Sequence, residues 1–314
     1  MNERRAINTI GLIGLGLMGQ GIACCLIRYG FNVIAYSRTA SREQEAVAHI
    51  NGSFGKLLDR NIITESETKG WEERFSYVNS LDEMGDSQFL IETVGESLEL
   101  KMEIYKAVEG VVEDDVVIAT NTSGISISLL QQRLIHKERF IGMHWAEPAE
   151  ITKYLEISPG ESTAGYATEV GRQIGIRCGK QPTLLNYDLP GLISNRMMYA
   201  MMREAVHLVE SGVADIETVD RSFRNDIGWW ATICGPFRWM DLTGLPLYAK
   251  VMEGLFPELS NSSSLPELMK EKVSSGTKFY EYQGNEESAW EDAWLDFTHD
   301  ISEISDKYNN RVKL

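Results

Sequence analysis

The chain has 314 residues, 43% of them hydrophobic and 24% charged, with a formal net charge of −16 at pH 7. That length exceeds what a single core usually organises, so two domains are expected, and the ordinary composition excludes a disordered or fibrous chain. The acidic balance, with no stripe of Lys and Arg, argues against a nucleic-acid partner, and no segment reaches the ~20 apolar residues of a membrane span.

Residues 1–5 are charged and lead into an apolar run broken by glycines, which reads as part of a nucleotide-binding unit and not as a signal peptide. Within residues 7–38 a strand at 10–13 is followed by the G-x-G-x-x-G turn Gly14-Leu15-Gly16-Leu17-Met18-Gly19. A helix at 21–29, closed by Gly30, and a second strand at 32–36 complete a β-α-β unit. Gly14 permits the tight turn, Gly16 leaves bare backbone for a pyrophosphate, and Gly19 lets helix and strand pack closely. The helix start, with Leu17 and Met18, then offers unpaired N–H groups and a positive dipole end to phosphates.

Beyond this unit, 39–58 reads as a polar helix and 59–71 as a charged helical excursion, followed by strands ending at 78 and spanning 89–94. An amphipathic helix at 97–111 precedes a buried strand at 116–119. That strand runs into Thr120-Asn121-Thr122-Ser123-Gly124, a polar turn at a strand's C-terminal edge, where open α/β sheets place their ligands. A short helix at 125–134 follows, then strands at 140–145, carrying His144, and at 154–158, carrying Glu156 in an otherwise apolar run. A carboxylate buried there needs a partner.

After a helix at 161–174 and a strand at 181–186, Pro190-Gly191 breaks the chain and the alternation gives way to helices alone. The expected division is an α/β Rossmann-like domain over 1–188 and an all-helical domain over 189–314. Helices are expected at 192–211, a methionine-rich spine with Met as core filler, at 215–226, from Gly235-Pro236-Phe237 onward, at 265–273 and at 289–308. Cys24, Cys25, Cys178 and Cys234 lack metal-ligand spacing, so they read as buried thiols in a reducing cytoplasm, and no metal is expected.

These motifs together resemble the 3-hydroxyacyl-CoA dehydrogenase superfamily over nearly the full chain. The likeness rests on G-L-G-L-M-G at 14–19, E-T-V-G-E-S-L-E-L-K at 92–101, N-T-S at 121–123, G-M-H-W at 142–145, P-G-L-I-S-N-R at 190–196 and G-P-F at 235–237. It implies a nicotinamide dinucleotide cofactor, a homodimer formed through the helical domain, and reversible oxidation of a secondary alcohol by hydride transfer. By the same resemblance His144 matches the general base and Glu156 its partner. Ser123 matches the residue that hydrogen-bonds the reacting oxygen, and Asn195 one that positions substrate and base. The chemistry agrees, because loss of a hydride from a carbinol carbon requires loss of the O–H proton, and an imidazole suits that role. A turn or helix cap remains the plain alternative for Ser123 and Asn195. Thr93, Glu96, Lys101 and Asn121 match positions around the dinucleotide, although Lys101 reads equally well as a solvated helix charge.

Four departures sharpen the expectations. Ser37-Arg38 stands where the superfamily carries Asp for the adenosine ribose, so NADP is favoured over NAD: a guanidinium and a hydroxyl bind a 2′-phosphate that an aspartate repels. Glu147 replaces an Asn close to nicotinamide and base, where its charge is expected to act on His144 or favour a cationic substrate. Residues 272–282 lack the usual lysine-and-glycine loop, which puts one dinucleotide contact in doubt. Trp229, Trp230, Phe237 and Trp239 form an aromatic group read as core or dimer interface, with a narrowed substrate pocket as the other possibility. The motif variants resemble a branch acting on free hydroxy compounds, so 3-hydroxyacyl-CoA and free hydroxy acid both stand as substrate classes. A non-catalytic dinucleotide-binding sensor is the alternative from a different class.

Overall fold

The computed structural model describes residues 6–312, and the charged residues 1–5 lie outside it. Two compact units divide the chain, Met1–Asn195 and Arg196–Leu314. The division falls after Asn195, beyond the Pro190-Gly191 break, because Ile193 and Ser194 donate main-chain hydrogen bonds to Glu156 of the first unit.

Eight strands build the first unit: β1 Thr9–Ile13, β2 Asn32–Tyr36, β3 Phe75–Val78, β4 Phe89–Glu92, β5 Val117–Thr120, β6 Phe140–Trp145, β7 Tyr154–Pro159 and β8 Gln181–Leu184. They form one sheet in the order β3-β2-β1-β4-β5-β6-β7-β8. The first six run parallel; β7 is antiparallel to β6, and β8 is parallel to β7. The strand order reverses between β1 and β4, which opens a crevice at their carboxyl ends.

Six helices belong to this unit: α1 Leu17–Arg28, α2 Ser41–Asp59, α3 Glu65–Thr68, α4 Leu98–Glu109, α5 Ile127–Gln131 and α6 Gly165–Arg177. Apolar residues of α1, α2 and α6 pack on one face of the sheet, and Ile104, Tyr105 and Leu130 of α4 and α5 pack on the other. The central strands are therefore buried on both faces, as their unbroken apolar runs require. Two elements differ from the sequence expectation. Helix α1 begins at Leu17, not Gly21, so the second half of the glycine motif is already its first turn. The excursion at 59–71 holds only the single turn α3, because Gly70 adopts a left-handed conformation (φ 67°) that ends helical continuation and turns Trp71 inward against Phe54.

The second unit is helical: α7 Ser194–Glu210, which starts in the first unit, then α8 Ile216–Asn225, α9 Ile227–Ile233, α10 Pro236–Thr243, α11 Leu245–Leu255, α12 Glu267–Ser275 and α13 Glu286–Val312. Sequence pattern missed α9 and α11, which are separated from their neighbours by a single residue or by Gly244. The methionines of α7 are not core filler: Met197, Met201 and Met202 are 59, 37 and 45% exposed. Cys24, Cys25 and Cys178 are buried free thiols, but Cys234 is only half-buried. Among the described residues, no helix is long and apolar enough to cross a membrane, and no group of three metal-ligating side chains converges.

Candidate active site

Gly14 follows β1 directly with φ 103°, and its N–H donates to Tyr36 O at 2.8 Å, tying the turn to the end of β2. A Cβ on Gly19 would lie 2.0 Å from the Gly14 carbonyl oxygen, so α1 approaches the turn this closely only because position 19 has no side chain. At Gly16, the N-cap of α1, a Cβ would meet nothing within 4 Å. That open cradle at a helix N-terminus fits a pyrophosphate. Leu17 is 63% exposed beside it, and Met18 packs inward on the core.

A cleft of ≈ 430 Å³ opens here, lined by Gly14, Gly16, Ser37, Arg38, Arg42 and Thr93, among others. Tyr77 donates its hydroxyl to Ser37 O at 2.8 Å and so fixes the end of β2. Arg42 was not singled out from sequence; the signal was its place four residues after Arg38, at the start of α2. It also pairs with Glu45 at 2.5 Å on the surface.

Behind the cleft, Glu92 at the end of β4 is fully buried and accepts from Lys101 Nζ (2.8 and 3.0 Å), Tyr105 OH (2.5 Å), Thr120 Oγ1 (2.8 Å) and Val94 N (2.6 Å). A buried charge is tolerable with that many partners. Lys101, with none of its side chain exposed, is therefore not a solvated helix charge, and its ammonium lies beneath the surface on Glu92 and, at 3.5 Å, Glu96. Glu96 in turn grips the serine turn: its Oε1 accepts from Ser123 N and Gly124 N, both at 3.0 Å, and from the Thr122 hydroxyl. Burial would raise the Glu96 carboxyl, yet the Thr122 hydroxyl, the Lys101 charge and these N–H groups hold it below its ordinary value. Asn121 ties three strand ends together, accepting from Trp145 N at 2.8 Å and donating to Thr93 Oγ1 at 3.3 Å.

The antiparallel β6–β7 register sets His144 directly opposite Glu156. His144 Nε2 lies 3.1 Å from Ser123 Oγ, and its Nδ1 lies 2.9 Å from Tyr154 OH. Asn195 donates its amide to Ser123 O at 3.2 Å. Glu156 Oε1 accepts from Ile193 N and Ser194 N, both at 3.1 Å, at the positive end of α7. Gly191 (φ 80°) and Leu192 (φ 53°) make the left-handed turn that delivers those N–H groups. Burial pushes the Glu156 carboxyl up, but the nearby His144 ring, the Tyr154 hydroxyl and the two N–H groups outweigh it and leave the carboxyl lowered. The structure thus brings Ser123, His144, Glu156 and Asn195 together in one unit. Tyr154 was missed, although a residue two before Glu156 on the same strand shares its face.

The groups that bear on Glu147 are Glu150 and His49 of α2, and His49 Nε2 lies 3.0 Å from Glu150 Oε1. Burial first, then the Glu150 charge, raise the Glu147 carboxyl to about 7. Glu147 follows the end of β6, and its carboxylate lies within electrostatic reach of His49 on α2. In the second unit Tyr280 donates to Asp220 at 2.7 Å, and Trp230 stacks on Trp239 with ring centroids 5.4 Å apart.

Residues 9–188 match the NAD binding domain of 3-hydroxyacyl-CoA dehydrogenase, and residues 191–283 match its C-terminal domain. The chain belongs to the 3-hydroxyacyl-CoA dehydrogenase family. As such it is an NAD-binding oxidoreductase of the alcohol-dehydrogenating class (EC 1.1.1). It is 34% identical over 273 residues to 5-formyl-3-hydroxy-2-methylpyridine 4-carboxylate 5-dehydrogenase of Mesorhizobium japonicum, covering 86% of each chain. A crystal structure of an enzyme of that name, described as an NAD+ dependent dismutase, superposes with a TM-score of 0.87 at 29% identity, over 95% of this chain and 97% of the other. The (S)-3-hydroxybutyryl-CoA dehydrogenase of Ralstonia eutropha superposes with a TM-score of 0.74 at 29% identity, over 89% of this chain and all (100%) of the other.

Proposed function

We propose that this family member oxidises a free hydroxy acid or a similar small carboxylated alcohol, with His144 as general base and NADP(H) as preferred coenzyme. The observation that carries the catalytic assignment is the 3.1 Å approach of Ser123 Oγ to His144 Nε2, at the C-terminal edge of the sheet. A substrate hydroxyl held by Ser123 would present its proton to Nε2, and in the reverse direction the imidazolium would return it to the carbonyl oxygen. Glu156 offsets the positive charge that forms on the ring. Asn195 and Glu96 hold the main chain of the Ser123 turn, which keeps the hydroxyl aimed at the base. The dinucleotide, when bound along Gly14, Gly16, Leu17 and Thr93, supplies the hydride acceptor.

Support for a free substrate comes from the higher TM-score and coverage against the pyridine-carboxylate enzyme than against the acyl-CoA enzyme. Support for NADP(H) comes from Ser37, Arg38 and Arg42 lining one end of the cleft, where charge-assisted bonds suit a 2′-phosphate. NAD, the coenzyme named for the matching domain and for the pyridine-carboxylate enzyme, is the second reading. The apolar surface of the helical unit fits a second copy of this chain, hence a homodimer, and four free thiols fit the cytoplasm.

Initial rates on a panel of free hydroxy acids and 3-hydroxybutyryl-CoA, each with NADP+ and NAD+, test these assignments together. The expected kcat/KM is at least about tenfold higher with NADP+, the worth of one charge-assisted hydrogen bond. A clear preference for NAD+ or turnover of the CoA ester alone would overturn the corresponding part. His144→Ala is expected to lower kcat by ~10²–10⁴ while coenzyme binding is retained. If a coenzyme binds but no alcohol or ketone reacts, the protein is a dinucleotide-binding sensor.

A further inference from the structure

The His144–Glu156 pair is not in direct hydrogen-bond contact. His144 Nδ1 and Glu156 Oε2 are 3.6 Å apart, beyond an N–H···O bond. Between them sits Tyr154 OH, 2.9 Å from Nδ1 and 2.5 Å from Oε2. We infer that Tyr154 is a positioning residue that couples the His144 base to Glu156 through its phenolic hydroxyl. The inference rests on His144 being the base, as proposed above.

Donor and acceptor counting determines the direction of the chain. An ionised carboxylate only accepts, so the single phenolic proton goes to Oε2 and the phenol oxygen must accept from Nδ1–H. That places the neutral ring in the tautomer with Nε2 unprotonated, facing Ser123 Oγ, as a base must be. Glu156 cannot close the 3.6 Å gap freely, because its other oxygen is anchored by Ile193 N and Ser194 N. The Tyr154 ring also meets the imidazole edge-on, with centroids 5.6 Å apart and planes at 84°, which restrains the ring's rotation. During turnover only the substrate proton moves, onto Nε2; the phenol keeps its own proton, and the charge is stabilised through two hydrogen bonds.

Of the other charged groups near these elements, Glu147 after β6 faces Glu150 and His49. Glu96 and Lys101 hold the Ser123 turn, and Asp188 accepts from Ser126 Oγ and Ser128 N. Burial, and then the Glu156 carboxylate, push the Tyr154 hydroxyl far above its ordinary value, with the Ser194 side chain opposing, so the phenol remains a donor throughout the working range.

The test is Tyr154→Phe in the full chain, read by NMR titration of the His144 ring, with that signal assigned by its loss in His144→Gln. The wild-type ring is expected as one tautomer, protonated at Nδ1. In Tyr154→Phe the tautomer preference is lost and the titration midpoint falls by about one unit, because the imidazolium loses its acceptor. The acid limb of kcat/KM for alcohol oxidation moves down by the same amount, and kcat falls ~10–100-fold with KM little changed. An unchanged or raised midpoint, with the tautomer preserved, would overturn the proposal, since His144 and Glu156 would then pair directly. Should Tyr154→Phe fail to fold, 3,5-difluorotyrosine at position 154 keeps the hydroxyl and the packing while weakening the acceptor. It should lower the midpoint in the same direction, and no shift would sink the coupling. The titration needs no turnover, so a protein with the expected ring behaviour and no dehydrogenase activity would refute the reaction and leave the coupling standing.

Discussion

In the α/β unit the strands β1, β4 and β5 are packed on both faces, whereas in the helical unit no apolar side chain among the described residues is buried, and Trp229, Phe237 and Leu242 are 75, 80 and 73% exposed. The difference separates two sources of stability. A parallel sheet covered by helices on both faces completes its core within one chain, and its charged interior, Glu92 with Lys101, is neutralised there as well. The helices of the second unit present apolar stripes that a single chain leaves in water, a condition that normally ends with association. The proposed base and the residues around it sit in the unit that completes its core within one chain.

The comparison breaks most visibly at the sheet. Phe89→Ala, at a fully buried position of β4, is expected to cost ~3–5 kcal/mol in urea unfolding. A cost below about 1 kcal/mol would mean the core is not shared as described. The next effect is in the other unit. Met202, 45% exposed and lining an apolar groove with Tyr199 and Val206, would be nearly neutral to substitution in a monomer, within about 0.5 kcal/mol. With a second copy covering it, Met202→Glu should instead weaken association by ~1–3 kcal/mol, seen as monomer in sedimentation equilibrium. An unaltered mass at micromolar concentration would remove that face from the interface.

The smallest effect lies within the α/β unit, at Glu147, whose Oε2 is buried without a hydrogen-bond partner. Its carboxyl is raised to about 7 in the folded protein. Between its unfolded value, about 4.3, and about 7 the folded state therefore binds more protons than the unfolded one, so Glu147 makes stability fall as pH rises through that window. Half-exposure screens the effect, leaving about 1 kcal/mol. Glu147→Gln should stabilise the protein by that amount at pH 8 relative to wild type and make little difference at about pH 3.5, below the unfolded value. Equal denaturation midpoints at pH 8 would show that the carboxylate is solvated.

Much of the site was legible because its residues lie in short local patterns. The glycine turn needs neighbours in sequence, and His144 and Glu156 stand on strands whose apolar runs announce them. What could not be read was where side chains go once strands acquire register and helices pack. Lys101 reads from sequence equally as a position near the dinucleotide or as a solvated helix charge, and α4 packs on the sheet with that face inward and brings the ammonium to Glu92. Glu147 is three residues from His144 but follows the end of β6, and the chain there carries its carboxylate toward His49.

Sequence pattern alone determined the Rossmann-like β-α-β unit and the change to helices after Pro190-Gly191, because these depend on local backbone chemistry and periodicity, and the family resemblance singled out His144 and Glu156 as the candidate base and its partner. Only the tertiary structure decided that Tyr154 stands between His144 and Glu156 and that Glu96 carries the serine turn. The bonds from Tyr154 to His144 and from Ser123 to Glu96 arise from the β6–β7 register and from strand ends meeting across the sheet, and contacts between such separated parts of the chain have no signature in sequence spacing.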